Sequence, residues 1–299
     1  MRIPAPGNGK AVPAVNSNLA DGCLSDSRYR TKDRMRAKGG QVYRRSANSV
    51  MLASALVLFI HSSAISGNAI VFPRKIPFSP GDKLTYEGKW GPIPAGEVTL
   101  EVLPKETIGG VEAYHFAMTT KTNAVVDLLY KIREREDSFV DGNMTHSILY
   151  KKWEESKHPR DITVNFDWDK LEATRTNFGE KSPPIQILPG TFDPLALLFI
   201  LRLQDLKENA VIEIPVTDGD TNYRVKVTVG KRDSIEIRGK MHDAFEVTPD
   251  MERLEQIVKK SENPQLKIWY TADAQRIPLR INSKPGIVSF VFELVSNVP

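Results

Sequence analysis

The feature that most constrains the fold is a series of short alternating segments, which begins at residue 80 and continues almost to the end of the chain. Polar and apolar residues alternate with a period of two in segments such as DKLTYEGKW (82–90) and TNYRVKVTVGK (221–231). Turn signals such as TIGG (107–110) and DGN (141–143) separate these segments. This pattern predicts consecutive antiparallel strands joined by tight turns.

One long apolar segment interrupts the strand pattern. DPLALLFILRL (193–203) begins with Asp193 as a candidate N-cap and with Pro194 at the favoured first helical position. We expect this helix to continue to about Leu206. Its apolar residues cover nearly the whole circumference, so it should be buried on most sides. A shorter segment, NAVVDLLY (123–130), predicts one or two helical turns capped by Asn123.

These two features together predict the architecture. We expect five or six strands, the buried helix, and then six or seven more strands. A long meander has to curl in order to protect its edges, and its concave face then has to be filled. The predicted fold class is therefore mainly β, with a curled antiparallel meander (an incomplete barrel) wrapped around one buried central helix.

The first 69 residues are predicted to lie outside this fold. A basic segment precedes about eleven apolar residues, VMLASALVLFI (50–60), and small residues follow, which is typical of a secretory signal peptide. The apolar segment is short for a bilayer span, which needs roughly 20 residues. An uncleaved anchor helix is the alternative. Cleavage after Ala69 or after Ala64 would fit the small-residue rule.

The leader also shapes the predicted domain boundaries and location. A start at Met35 would give a leader of more ordinary length, so residues 1–34 are a candidate mis-assigned start. We expect residues 70–79 to be a linker and residues 80–296 to form a single β domain. The mature chain is expected to be periplasmic or otherwise exported, with no stable membrane span.

Charge excludes one class of partner. The chain has 41 Lys and Arg and 37 Asp and Glu, and residues 1–69 hold ten and three of these, respectively. The remainder therefore carries 31 basic and 34 acidic residues, a net charge of −3. The basic character belongs to the leader, so we expect no nucleic-acid partner.

Motifs for catalysis and metal binding are not found in the sequence. The single cysteine, Cys23, lies in the leader, and there is no Gly-x-Ser-x-Gly elbow. Outside the leader there are four histidines, His115, His146, His158 and His242, and they do not have zinc-ligand spacing. We therefore predict no catalytic residue, no metal site and no cofactor, and the sequence leaves an enzymatic role open without supporting it.

Two groups of residues are candidates for binding. Aromatic and apolar side chains are predicted to line an apolar ligand space beside the helix, although tryptophans on a sheet are by default core residues. The segment REREDSFVD (133–141) alternates basic and acidic residues, which would form a polar rim or, more simply, a solvated strand with cross-strand ion pairs. The predicted lining is Leu195, Phe199, Trp90, Trp153 and Trp269, and the predicted rim is Arg133, Arg135 and Asp137.

Three segments carry a resemblance to a known family. They are FSPGDKLTYEGKWGPIPAGEVTLEV (78–102), FDPLALLFILR (192–202) and LKIWYTADAQRIPLRI (266–281). The chain resembles, over residues 78 to 296, the exported bacterial family called domain of unknown function 3108. This resemblance implies an envelope location and a mainly β fold, but no activity. The layout is more distantly similar to the half-barrels of periplasmic lipoprotein carriers.

Three functions follow as hypotheses. The first is an exported, non-enzymatic domain that binds an apolar ligand, such as a lipid or an acylated partner, in the concave sheet. The second is a structural or adaptor domain with a fully filled core that acts through envelope protein partners. The third is an envelope glycan or lipid hydrolase that uses paired carboxylates, for which the sequence shows no convergent pair.

Overall fold

A computed structural model of the chain describes residues 75–250, 265–284 and 289–299. The predicted leader, its cleavage sites and the alternative start at Met35 lie outside the described residues, as does most of the predicted linker. The charged segment 251–263 lies outside them as well. Within the described part of the chain, no helix is both long enough and apolar enough to span a membrane.

Over the described residues, fifteen antiparallel strands form one sheet, and two helices accompany it. Nine of these strands precede the long helix, three or four more than expected, and two of them, β8 and β9, have only two residues each. Six strands follow the helix, as expected. The strands are β1 (Lys83–Trp90), β2 (Ile93–Ile108), β3 (Val111–Thr122), β4 (Arg133–Asp141), β5 (Ser147–Glu155), β6 (Arg160–Asp167), β7 (Glu172–Asn177), β8 (Glu180–Lys181), β9 (Ile185–Gln186), β10 (Val211–Thr217), β11 (Asn222–Ile237), β12 (Lys240–Pro249), β13 (Gln265–Thr271), β14 (Pro278–Lys284) and β15 (Phe290–Val298). The helices are α1 (Ala124–Tyr130) and α2 (Pro194–Leu203).

The strand order shows how the chain runs through the curled sheet. It is β10-β11-β12-β13-β14-β15-β1-β2-β3-β4-β5-β6-β7-β8, and β9 pairs with β7. The first strand therefore lies between the second and the last. Strands β2 to β9 form one side of the sheet from β1. After α2, strands β10 to β15 form the other side, and β15 pairs with β1. Apart from this return, each ladder of the main path joins strands that are consecutive in sequence.

The curled sheet stays open between its two edge strands, β8 and β10. Among the described strands, no ladder joins β8 to β10. Phe192 forms one isolated parallel bridge with Val216, and the side chain of Asn222 donates to the carbonyl of Gln186. The predicted incomplete antiparallel barrel is confirmed.

Alternation explains which faces of the strands are buried. In β11, Tyr223, Val225, Val227 and Val229 are buried, while the residues between them are exposed. Successive strand side chains point to opposite faces, so one hydrophobic set turns toward the interior and the other set toward solvent. The interior set and α2 belong to a single core cluster.

Helix α2 fills the interior, as its composition predicts. Asp193 is its N-cap and accepts a hydrogen bond from the amide of Ala196 at 2.9 Å. The helix ends at Leu203, three residues before the predicted end, because Gln204 has an extended backbone. Leu206 is nevertheless 6% exposed. Its apolar character therefore reflects burial beyond the end of the helix rather than helical structure.

Candidate functional site

Helix α1 lies at the end of the sheet where β3 passes into β4. Asn123 caps it, as the sequence predicts, and its side chain accepts hydrogen bonds from the amides of Val125 and Val126 at 3.1 and 3.0 Å. The side-chain amide of Asn123 also donates to the carbonyl of Pro94 at 2.6 Å, and the backbone amide of Asn123 donates to the carbonyl of Ala95 at 2.9 Å. These bonds fix the start of α1 against the start of β2.

Helix α1 is apolar but not buried. Six of its seven residues are apolar and none is buried. Leu128 is 86% exposed, Leu129 66% and Val125 65%. A seven-residue helix has little stability of its own, so a helix of this composition normally forms by covering its apolar side chains. Here that cover is not supplied by the described part of the chain.

The β1–β2 turn extends this exposed apolar region. Trp90 and Ile93 are register partners at the end of that hairpin and are 38% and 49% exposed. Ile93 immediately precedes the proline that is hydrogen-bonded to the cap of α1. We define the α1 surface as Trp90, Ile93, Val125, Leu128, Leu129 and Tyr130. Contiguous exposed apolar side chains of this kind mark interaction sites on soluble domains.

Two cations that follow α1 in the chain are paired. Arg133 donates to Asp127 at 2.5 Å, and Lys131 lies 2.6 Å from Glu155. The hydrogen bond from Arg133 is the main cause that lowers the pKa of Asp127 below its ordinary value. These two pairs are compensated, and a third cation, Lys157, lies over the ring of Tyr130.

A cavity of about 580 Å³ opens beside α1. Its lining is mixed, and it comes from β1, β2, β3, β15 and the β11–β12 turn. Charged residues such as Glu87, Glu97, Lys121 and Arg238 lie beside the apolar Tyr86, Pro94 and Val295. The cavity therefore differs from the α1 surface in carrying charged groups.

The predicted rim residues lie on the outer face of β4. Arg133 pairs with α1, whereas Arg135 and Asp137 pair with each other at 2.6 Å. His115 joins this second pair, because its Nε2 lies 2.8 Å from Asp137 and its Nδ1 lies 2.8 Å from Glu106. Burial alone would raise the pKa of Asp137, but hydrogen bonds from His115 and Arg135 lower it below its ordinary value.

The alternate residues of β4 carry charge into the interior. Lys152 Nζ lies 2.6 Å from Glu134 and 2.9 Å from Glu136. Burial raises the pKa of Glu134, and the proximity of Glu136 raises it further against the opposing effect of Lys152. Burial also opposes the charge on Lys152, but the two carboxylates outweigh it and raise its pKa. The sequence shows that these glutamates share a face of β4, but not that this face is the interior one.

A buried carboxylate continues this polar interior toward α2. Asp193 is fully buried and accepts hydrogen bonds from Ser138 and Ser147, both at 2.6 Å. Burial raises its pKa from 3.8 to about 6, although these hydrogen bonds act in the opposite direction. Sequence analysis identified Asp193 only as a helix cap. It could not identify the serines, which are 55 and 46 residues away in sequence.

The predicted lining residues on α2 are part of the core. Leu195 and Phe199 are each 2% exposed. The ring of Phe199 stacks on Phe116 with centroids 3.9 Å apart, and Phe78 meets it edge-on at 5.6 Å. These contacts cover the ring of Phe199, and Leu195 belongs to the same core cluster.

The three predicted lining tryptophans lie apart from one another. Trp90 belongs to the α1 surface. Trp153 is 49% exposed on β5, and Trp269 packs against the small second cluster formed by Ile237, Ala244 and Leu279. Another tryptophan, Trp168, packs against the main core instead. The structure therefore brings Leu195 and Phe199 together but not the tryptophans, and the lining as a set stays a prediction.

The described carboxylates and histidines do not form a metal-binding cluster. Over residues 75–250, 265–284 and 289–299, no group of three or more His, Cys, Asp or Glu side chains is arranged to hold a metal ion. The interior carboxylates are instead bound by lysine, by serine hydroxyls and by a helix amide.

Comparisons with known proteins identify the family of the chain. Residues 85–295 match a family described as "Protein of unknown function (DUF3108)", which confirms the family resemblance of the sequence. No curated protein matches the sequence. Among solved structures, the chain is similar to a β-barrel-like protein of domain of unknown function DUF1849 from Brucella abortus. The identity is 13%, the TM-score is 0.48, and the match covers 72% of this chain and 96% of that chain.

Proposed function

We propose that this chain, which belongs to the DUF3108 family of proteins of unknown function, is an exported, non-enzymatic domain that binds an apolar component of the cell envelope, a lipid or an acylated partner. Export is part of the proposal and is supported by the apolar segment 50–60 with its basic flank. The binding activity is supported by the structure of the α1 surface.

The observation that carries the proposal is the exposure of α1. Leu128, Leu129 and Val125 are each at least 65% exposed on a helix that is held in place by polar caps rather than by its own apolar face. Removing such side chains from water is worth about 1.5–3 kcal/mol each. Folding of the described residues leaves these side chains exposed, so burying them against an apolar partner would stabilise the complex.

The proposed contact differs in place from the predicted space between α2 and the sheet. Leu195 and Phe199 already pack against core residues, so a ligand there would have to displace those contacts. A close-packed interior resists such displacement because lost contacts and strain both cost free energy. The α1 surface requires no such displacement.

A second candidate function is favoured by the same packing. If the filled core around α2 serves only stability, the domain is a structural or adaptor module that acts through envelope protein partners. The stacked rings of Phe199 and Phe116 support this alternative. It differs from the first candidate in the chemistry of the partner, since an adaptor would bind a polypeptide and no lipid.

One experiment separates the two candidates. The full chain is expressed with its own leader, recovered from the periplasmic fraction, extracted with organic solvent and analysed by mass spectrometry. We expect lipid to copurify with the wild type and to be lost from Leu128→Asp/Leu129→Asp. The matched control is Val111→Asp, which alters an apolar residue that is 47% exposed at the opposite end of β3 from α1.

The outcomes assign the function. Equal lipid content in all three proteins would remove the α1 surface from the proposal. A lipid-free wild type that is cross-linked to an envelope protein would favour the adaptor. Recovery of the chain only from the cytoplasm, with its leader intact, would contradict export.

A further inference from the structure

We propose that the α1 surface docks this domain onto the surface of a lipid bilayer. This inference rests on the proposed function and narrows its partner from any apolar envelope component to the membrane itself. It concerns the α1 surface alone, and it assigns no role to the space around α2.

The shape of the α1 surface favours a bilayer over a single lipid molecule. A site for a small ligand is concave and buries most of the ligand surface, typically 70–90% of it. Leu128 is 86% exposed and therefore protrudes instead of lining a hollow. A single acyl chain lying on α1 would keep most of its own surface in water, whereas a bilayer surrounds a protruding side chain with hydrocarbon.

The neighbouring cavity does not supply the missing enclosure. Glu87, Glu97, Lys121 and Arg238 are among its lining residues. They form two ion pairs, Arg238 with Glu87 and Lys121 with Glu97. An acyl chain placed there would remove both pairs from water, which costs free energy even for paired charges. The cavity beside α1 is therefore a poor site for an isolated acyl chain.

The edges of the α1 surface have the composition of a membrane interface. Trp90 and Tyr130 flank the aliphatic side chains, and both are 38% exposed. Tryptophan and tyrosine favour the level of the lipid headgroups, where the ring is in an apolar layer and its polar atom is in water. The ammonium of Lys157 lies 5.5 Å from the ring centroid of Tyr130, so a cation is present where lipid phosphates would be.

The turns that carry these residues lie at one end of the sheet. In an antiparallel meander, successive turns alternate between the two ends, so the β1–β2 turn and the β3–β4 connection share an end. The hydrogen bond from Asn123 to Pro94 joins the two connections directly. A planar bilayer could therefore contact Ile93 and Leu128 at the same time.

Charge pairing indicates which lipid property is recognised. Arg133 is paired with Asp127, and Lys131 is paired with Glu155. With these charges compensated, long-range attraction to anionic lipid contributes little, and binding depends on inserting apolar side chains. We therefore expect the domain to bind vesicles of zwitterionic phosphatidylcholine.

A fluorescent label placed on α1 tests the inference in the full chain. Cys23 is the single cysteine, so Cys23→Ser provides a background for Leu128→Cys carrying an environment-sensitive fluorophore. The matched control is Val111→Cys, labelled in the same way, because Val111 begins β3 at the β2–β3 turn whereas α1 follows the other end of β3. Both positions are exposed, so neither substitution removes a core contact.

The readout is the difference between the two labelled positions, because the leader can itself bring the chain to vesicles. With phosphatidylcholine vesicles, we expect a blue shift of the label at position 128 and loss of most of its emission when the lipids carry a quencher in their acyl chains. The label at position 111 should show neither change. Adding Leu129→Asp to the Leu128→Cys protein should abolish the shift.

Each other outcome overturns the inference in a distinguishable way. Response at position 128 to monomeric lysophosphatidylcholine, but not to vesicles, would reject bilayer docking while leaving apolar ligand binding intact. Response to neither lipid would reject both proposals. A shift that depends on protein concentration in the absence of lipid would assign the α1 surface to a second copy of the chain. Equal responses at positions 128 and 111 would show that docking does not use α1.

Discussion

The hydroxyl of Ser147 donates to the carboxylate of Asp193 at 2.6 Å, and its oxygen accepts from the Asp193 amide at 2.9 Å. One serine on β5 therefore satisfies both the side chain and the backbone of the residue that caps α2. Ser138 on β4 donates to the same carboxylate oxygen. The start of the buried helix is thus fixed to two neighbouring strands by buried polar contacts.

Replacing Asp193 with Asn should change how stability depends on pH. Burial raises the pKa of Asp193 from 3.8 to about 6, so the folded state binds this proton more tightly than the unfolded state. Its contribution is fully present below pH 3.8 and is lost as the pH rises through about 6. Asn does not titrate. Between pH 4 and pH 7, the free energy of unfolding of Asp193→Asn should therefore rise relative to that of the wild type, by on the order of 3 kcal/mol.

Urea unfolding at several pH values measures this difference. Ser147→Ala is a useful companion, because loss of a donor to the carboxylate should raise the pKa of Asp193 further and steepen the wild-type trend. Parallel stability curves for Asp193→Asn and the wild type would show that Asp193 does not titrate over this range.

The sequence predicted this region in part. The pair Asp193-Pro194 indicates a helix start on local grounds, and the structure confirms it. The serine partners depend on the register of distant strands, which no local pattern specifies. The same limit applies to β4, where alternation separates Arg135 and Asp137 from Glu136 but does not say which set faces inward.

Helix α1 shows a different limit. The sequence predicted its range and its cap at Asn123, and both are confirmed. Its apolar composition gave no indication of exposure, because buried and surface-binding helices share the same residue types. Only the position of Leu128 beyond the ends of β3 and β4 distinguishes the two cases. The α1 surface therefore had to come from tertiary structure.

Replacing Lys152 with Met should destabilise the protein in a pH-dependent way. Lys152 compensates Glu134 and Glu136, and it opposes the rise that burial causes in the pKa of Glu134, so its removal should raise that pKa further. A raised carboxyl pKa penalises the ionised form, so the loss should be small below about pH 4 and should reach about 2 kcal/mol at pH 7. Urea unfolding at both pH values measures it.

A surface lysine provides the control for that measurement. Lys170 pairs with Asp167 on an exposed turn, and solvent screens such pairs. Lys170→Met should therefore leave the stability curve unchanged at both pH values. A loss for Lys152→Met that is equal at pH 4 and pH 7 would indicate that the aliphatic part of the side chain, rather than its charge, is what stabilises the fold.

Replacing Phe199 with Ala should show that α2 is a packing element. Phe199 is 2% exposed and stacks on Phe116 at 3.9 Å. Truncating a buried phenylalanine typically costs about 3–5 kcal/mol, and we expect that loss in the free energy of unfolding. Phe178, which is 60% exposed, is the matched control, and Phe178→Ala should change stability by less than about 0.5 kcal/mol. Similar losses for both variants would mean that the interior around Phe199 is not close-packed.

Replacing Gly96 with Ala should disturb α1 without touching it. A Cβ at position 96 would overlap the carbonyl oxygen of Lys121 and lie 2.8 Å from the Cα of Thr122. Because these are backbone atoms, the start of β2 would have to move away from the end of β3, and with it the Ala95 carbonyl that binds the amide of Asn123. We expect a loss of about 3 kcal/mol, since overpacking against backbone has little room for relaxation.

A second glycine separates crowding from backbone conformation in this prediction. Gly110 has a φ of +87°, and a Cβ there would meet nothing within 4 Å. Gly110→Ala should therefore cost only the strain of its backbone, about 1 kcal/mol. Amide hydrogen exchange adds a local readout, because Gly96→Ala should accelerate exchange at Val125 and Val126, whereas Gly110→Ala should not. Unchanged exchange at both amides in Gly96→Ala would contradict the coupling between the β2–β3 contact and the cap of α1.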